Sequence, residues 1–332
     1  MDPDRDAVNE RIPVSPSLQL VLESAQVPEQ VAIVDRRVLA ICGLALALGI
    51  VAAVIAQFLV RLIAFVTNLA FFTRFSIAEV SPADNTLGWA VVCVPVIGAL
   101  IVGFMARYGS KAIRGHGIPE AMEQVLTNQS RIPARITFLK PVSAAIAIGT
   151  GGPFGAEGPI IATGAALGSV LGQVISTTPT ERKTLLAAGA AAGMAATFGS
   201  PVSAVLLAVE LLLFEFRPRS LIPVALASSA AAAVRMSIDG VHPVFAMPAL
   251  EHPPGMAMAL YILLGAMMGL AAVIVTKILY AIEDGFERFV PVHWMWWPAI
   301  GAIAVGICGY YAPRTLGVGY NNITDIISDK MA

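Results

Sequence analysis

Glu157 is the one ionisable side chain in "GTGGPFGAEGPIIATGAALGS", Gly149 to Ser169, an otherwise apolar and glycine-rich run. A carboxylate so placed can be a general base, a metal ligand, a proton carrier or a charged gate. General-base chemistry needs a nucleophile, metal ligands or a second carboxylate on a facing segment. The sequence offers no apparent partner of that kind. Cys42, Cys93 and Cys308 lie far apart, each in an apolar segment, and show neither metal spacing nor a disulfide framework. They read as small core residues. The four histidines form no HExxH pattern. The expectation is a protein that is not an enzyme and needs no cofactor or metal. An intramembrane hydrolase using Glu157 as its base is the weaker reading.

The chemistry that remains is anion handling. Three segments place a glycine or small residue and then a proline ahead of a helical run. They are "RGHGIPEAMEQVL" (Arg114–Leu126), "FGAEGPIIATGAALG" (Phe154–Gly168) and "FGSPVSAVLLAVELL" (Phe198–Leu212). Proline suits the first helical turn, where its missing N–H would have no intrahelical partner. Neighbouring glycines leave the adjacent amides uncovered. A single motif of this kind reads better as an ordinary loop at the membrane surface. Three in one chain, one of them holding a glutamate, favour helix N-termini that open inside a membrane. Each unpaired N–H in hydrocarbon costs several kcal/mol unless satisfied. A helix N-terminus carries about half a positive charge, so its natural ligand is an anion. The expectation is that the starts at Gly115–Pro119 and Gly155–Pro159 converge on one intramembrane cavity.

The elements that must position these residues are membrane helices. The 332 residues are 57% hydrophobic and 13% charged, about half the charged share of a soluble domain, and mean hydropathy is +0.77. Val38–Phe58, Trp89–Met105, Leu221–Met236 and Met256–Ile278 approach the roughly 20 residues that span a bilayer as a helix. The predicted fold class is an all-α polytopic membrane protein. The net charge of −1 gives no electrostatic reason for a nucleic-acid partner. The polar, acidic first residues do not form a cleaved signal peptide, and Ser17–Ile33 reads as a surface helix. Arg107, Lys111, Arg114, Arg131, Arg135 and Lys140 form one basic cluster, and Arg217 with Arg219 a second. Both are expected on the cytoplasmic side, with the N-terminus. The tryptophans of "HWMWWP", His293–Pro298, suit a headgroup interface. Gly164, Gly168 and Gly172, with Gly189 and Gly193, repeat at four-residue spacing, which permits close helix packing in lipid.

"GHGIPE", "GAEGP" and "LLAAGAAAGMAATFGSPVSAVLLAVEL", in this order and spacing, resemble the CLC family of chloride channels and proton-coupled chloride exchangers. The resemblance runs from about Val38 to the end of the chain. It implies an inverted-repeat architecture of tilted and broken helices, and a homodimer with a pore in each subunit. It also implies that Glu157 is the gate. The physics gives Glu157 the same role: an ionised carboxylate at a helix N-terminus competes with anions for the amides, and protonation releases it. The anion-binding positions implied are His116, Gly117 and Ile118 at the first motif and Gly155, Ala156 and Gly158 at the second.

The sequence departs from the family pattern in several places. His116 stands where serine is usual, and Ala156 replaces a Lys or Arg. Leu211 occupies the position where exchangers commonly carry a second, proton-relaying glutamate. Leu211 favours a passive chloride channel, the alternative being a proton-coupled antiporter. A fluoride-selective branch is disfavoured because Pro159 is retained. The predicted organisation is a cytoplasmic segment over 1–37, a first half-repeat over 38–236, a loop over 237–254 and the start of a second half-repeat over 255–332. The motif GxFxP and a late pore tyrosine are missing. The chain is then a piece of a longer one, or its second half is supplied separately, or it is a non-conducting fragment. The partners expected are a small anion and the bilayer, the latter a bacterial inner membrane.

Overall fold

The computed structural model describes residues 36–242, 244–245 and 255–328. The surface helix read over Ser17–Ile33, and the start of the second half near Pro253, lie outside the described residues. Among those described there is no strand. The helices are α1 (Arg36–Phe72), α2 (Cys93–Phe104), α3 (Ile118–Thr127), α4 (Ile136–Gly149), α5 (Glu157–Val174) and α6 (Pro179–Phe198). They continue with α7 (Pro201–Ala208), α8 (Pro218–Asp239), α9 (Gly255–Phe289), α10 (Trp297–Tyr311) and α11 (Tyr320–Ile327).

Four helical stretches are long and apolar enough to cross a membrane: Arg36–Phe72, Gly88–Gly109, Pro218–Asp239 and Gly255–Phe289. They coincide with the four apolar runs of the sequence. At 1.5 Å per residue, α1 is about 55 Å long, more than a bilayer's hydrocarbon thickness, so it must tilt or protrude. The other helices are shorter and several start at a proline. The three glycine–proline motifs begin α3, α5 and α7, as the missing N–H argument requires.

α6 is the centre of the bundle. It packs against α5, α8, α1 and α7, and most of its residues are buried, chiefly alanines. Small side chains bury little apolar area each. What they provide is close backbone approach, and in lipid that dispersion contact drives helix association. The glycine spacing is spent on this seam. A Cβ on Gly164 would overlap the Gly189 carbonyl, and one on Gly189 would overlap the Gly164 carbonyl. A Cβ on Gly168 would overlap the Leu185 carbonyl, and one on Gly193 would lie 2.9 Å from the Ile160 carbonyl oxygen. A second group forms around α2 and α10, where Trp89 stacks on Tyr310 at 4.0 Å between ring centroids.

One expectation about a side chain changes. Lys140 does not sit in a solvated basic loop. It lies on α4, is buried, and its Nζ donates to the carbonyls of Ile113 and Gly115 at 2.9 and 2.8 Å. In the tryptophan cluster, the Arg114 guanidinium lies 4.7 Å over the half-buried Trp294 ring, and exposed Trp296 meets Phe104 edge-on at 6.3 Å.

Candidate anion gate

The first turn of α5 starts at Glu157, with Ala156 as its N-cap and no side chain capping the end. Gly158 and Pro159 follow in the same turn. Proline supplies no N–H and the glycine adds no side chain, so the helix opens with bare backbone. The Glu157 carboxylate folds back over Gly155, where any Cβ would overlap it. Gly155 and Glu157 are half-buried and Ala156 is buried.

The start of α3 comes to the same place. Gly117 caps α3 at φ +106°, a conformation that L side chains rarely adopt. A Cβ there would lie 2.6 Å from the Gly158 carbonyl oxygen and 2.7 Å from the Ala162 Cβ. Reciprocally, a Cβ on Gly158 would overlap the His116 carbonyl. The two motifs therefore meet glycine on backbone, with Gly117 buried and Ile118 half-buried on the core. His116 enters this contact through its carbonyl, while its residue as a whole is exposed.

Not every amide at the junction is available. The Gly117 N–H donates to the carboxylate of Glu120, at the third position of α3, over 2.5 Å. This is the reach-back of a capping box. Lys140, bonded to the Gly115 carbonyl, fixes the preceding loop from α4. Sequence reasoning missed both groups. The Pro-Glu spacing after Gly117 carried the signal for Glu120. Nothing local marks Lys140.

Leu211 lies in a π-helical turn, Val209–Leu213, that ends α7, half-buried against the core. It is ten residues from Pro201, about 15 Å along the helix. Glu210 beside it is exposed. Glu215 pairs with Arg217 at 3.7 Å and Lys183 at 3.6 Å, and accepts from the Ser220 hydroxyl at 2.7 Å.

A further residue reaches Glu157 from far along the chain. The Tyr320 hydroxyl donates to Glu157 Oε1 at 3.3 Å. The sequence reading found no late pore tyrosine, yet a late tyrosine does touch the proposed gate.

Residues 97–332, well over half of the chain, match the family model described as "Voltage gated chloride channel". The chain belongs to this family. Among curated relatives, the H(+)/Cl(-) exchange transporter ClcA of Vibrio parahaemolyticus is 29% identical over 260 residues, 76% of this chain and 55% of its own length. Chloride channel protein CLC-e of Arabidopsis thaliana is 28% identical over 252 residues, 72% of this chain and 34% of its own length. This chloride-channel-family chain thus spans about half, or less, of the length of these relatives. A solved structure of a slow cyanobacterial Cl-/H+ antiporter superposes with a TM-score of 0.72 at 20% identity. It covers 88% of this chain and 68% of its own, which shows the shared all-α membrane fold.

Proposed function

We propose that this protein moves chloride or a similar small anion across a membrane, with Glu157 as the gate. The observation that carries the reading is the meeting of the α3 and α5 N-termini at Gly117 and Gly158, with the Glu157 carboxylate lying over Gly155. Two helix N-termini at one point concentrate partial positive charge where an anion can be held. The amides of Gly155, Ala156 and Gly158 are the proposed ligands, with Ile118 and His116 at the α3 side. Glu120 holds the Gly117 amide, so Gly117 contributes close approach rather than a donor in this arrangement. Ionised Glu157 competes with the permeating anion for the same field; protonated, it loses that attraction and swings aside.

Passive flow is the mode that Leu211 supports, because leucine cannot relay a proton toward the cytoplasm. A second reading, proton-coupled exchange, is supported by the printed names of the ClcA relative and the antiporter structure. A homodimer, a bacterial inner membrane and a cytoplasmic N-terminus complete the proposal. The basic cluster that supports that orientation now omits Lys140.

The test is a chloride gradient across liposomes holding the full-length protein, with external pH recorded and the potential clamped by valinomycin. Chloride efflux without stoichiometric proton movement is expected. Uphill proton movement that uncoupler abolishes and Glu157→Ala removes would establish exchange instead.

A further inference from the structure

The contact between Tyr320 and Glu157 joins residues 163 positions apart, and the chain around Tyr320 is built to hold it there. Gly317 and Gly319 adopt φ +76° and +78°, turning the chain sharply before α11, whose first residue is Tyr320. The Gly317 N–H donates to the Gly151 carbonyl at 3.2 Å. That bond ties the turn to the segment that runs into Glu157 six residues later. Leu316, 3% exposed, packs under Gly151 and Phe71. Asp325 pairs with Arg314 at 2.9 Å, and Asn322 donates to the Arg314 carbonyl at 2.9 Å, closing α11 back on the turn. The Tyr320 ring is gripped edge-to-face by Phe198 at 6.5 Å and Phe245 at 5.9 Å. Those two phenylalanines also line a cavity of about 520 Å³ with Arg235 and His242 on its wall.

A phenol hydroxyl offers one donor. Against a carboxylate it stabilises the ionised form, and it offers little to the protonated acid. We propose that Tyr320 is the latch of the gate: its hydroxyl holds ionised Glu157 in the closed position, and loss of that bond frees the carboxylate. Tyr320 is a positioning residue for Glu157. The inference rests on the reading of Glu157 as the gate.

Other titratable and charged groups border the junction. They are His116 and Glu120 from the α3 start, Lys140 from α4, and Arg235 with His242 across the phenylalanine pair. The experiment therefore reads the response attributable to Glu157 alone. Tyr320→Phe keeps the ring and its aromatic contacts and removes only the donor. Anion flux through the full-length protein in liposomes is measured against external pH for wild type, Tyr320→Phe, Glu157→Gln and the double variant. Tyr320→Phe should move the closing midpoint up by about one pH unit, with about tenfold more flux at pH values where wild type is shut. The double variant should match Glu157→Gln. A midpoint left in place by Tyr320→Phe, while Glu157→Gln abolishes pH closure, overturns the latch and leaves the gate standing. A wild-type pH response in Glu157→Gln overturns the gate and the latch with it. Equal scaling of flux by Tyr320→Phe at every pH, in both backgrounds, shows a packing role only and also overturns the latch. Infrared difference spectra over the same titration give a readout independent of flux. The protonated-carboxyl band that Glu157→Gln removes should titrate about one unit higher in Tyr320→Phe, and an unshifted band counts against the latch.

Discussion

α5 and α9 carry the same four-residue glycine spacing and meet opposite surroundings. On α5, Gly164 and Gly168 lie against the backbone of α6, where a side chain has no room. On α9, Gly265 and Gly269 have nothing within 4 Å, and none of that helix's 35 residues is buried. Of the two, only α9 is among the four stretches long and apolar enough to cross a membrane. Small residues at this spacing permit close approach, but a complementary backbone must be there to accept it. α6 is such a backbone, being alanine and glycine throughout Ala187–Ala196 but for Met194. The proposed gate sits on the α5 side of this contrast, where Glu157 opens a helix held against α6 at Gly164 and Gly168.

The largest expected effect comes from Gly189→Leu. Its side chain would strike the Gly164 carbonyl, backbone that cannot turn aside. A loss of about 3 kcal/mol or more is expected, at or above the upper range of overpacking, read as failure to yield monodisperse protein after detergent extraction. Full yield and unchanged melting would break the comparison. Gly158→Val is next. It wedges the α3 and α5 starts apart at the His116 carbonyl, and flux should drop by about 100-fold while the α5–α6 seam keeps the fold, since small displacements at a working site carry effects of that order. Near-wild-type flux would show that the meeting of these N-termini is dispensable.

Gly265→Leu should change thermal stability by no more than about 0.5 kcal/mol, as for substitutions away from packed features. A drop matching that of Gly189→Leu would show that α9 has a packing partner in the assembled protein. A further small effect belongs to the polar end of α6, outside the four apolar spans. The Arg37 guanidinium, bonded through Nε and Nη2 at 2.6 and 3.0 Å, holds the Glu181 carboxyl down to about 2. A depressed carboxylate pKa stabilises the fold above the usual carboxylate range and loses that contribution as pH falls toward 2. Arg37 is over half exposed, so Arg37→Ala should lower stability by less than about 1 kcal/mol near neutral pH. The gap should close as pH falls from about 4.5 toward 2, followed by melting in detergent.

Much of this arrangement was legible because it is written locally. The Gly-Ala-Glu-Gly-Pro run announces a helix start with a carboxylate in it, and the glycine spacing announces a tight seam. The four apolar runs appear as four long helical stretches. What stayed hidden depends on contacts between distant segments. Lys140 reads as one more loop cation until α4 folds its Nζ onto two carbonyls of the preceding loop. Tyr320 reads as an ordinary aromatic near a Gly-x-Gly turn until that turn is tied to Gly151. Which of two glycine-spaced helices finds a partner is likewise a property of the neighbour. The glycine spacing alone does not distinguish α9 from α5.

The central claim is that Glu157 closes an anion pathway by competing, as an anion itself, for the field of two helix N-termini. Its most direct test is anion flux through full-length Glu157→Gln in liposomes, measured across external pH beside wild type. A neutral amide resembles the protonated acid and cannot compete as an anion. Wild type should close as external pH rises, while Glu157→Gln should conduct at the same rate throughout. Closure of Glu157→Gln at high pH with the wild-type midpoint would contradict the account and assign the gate to another group.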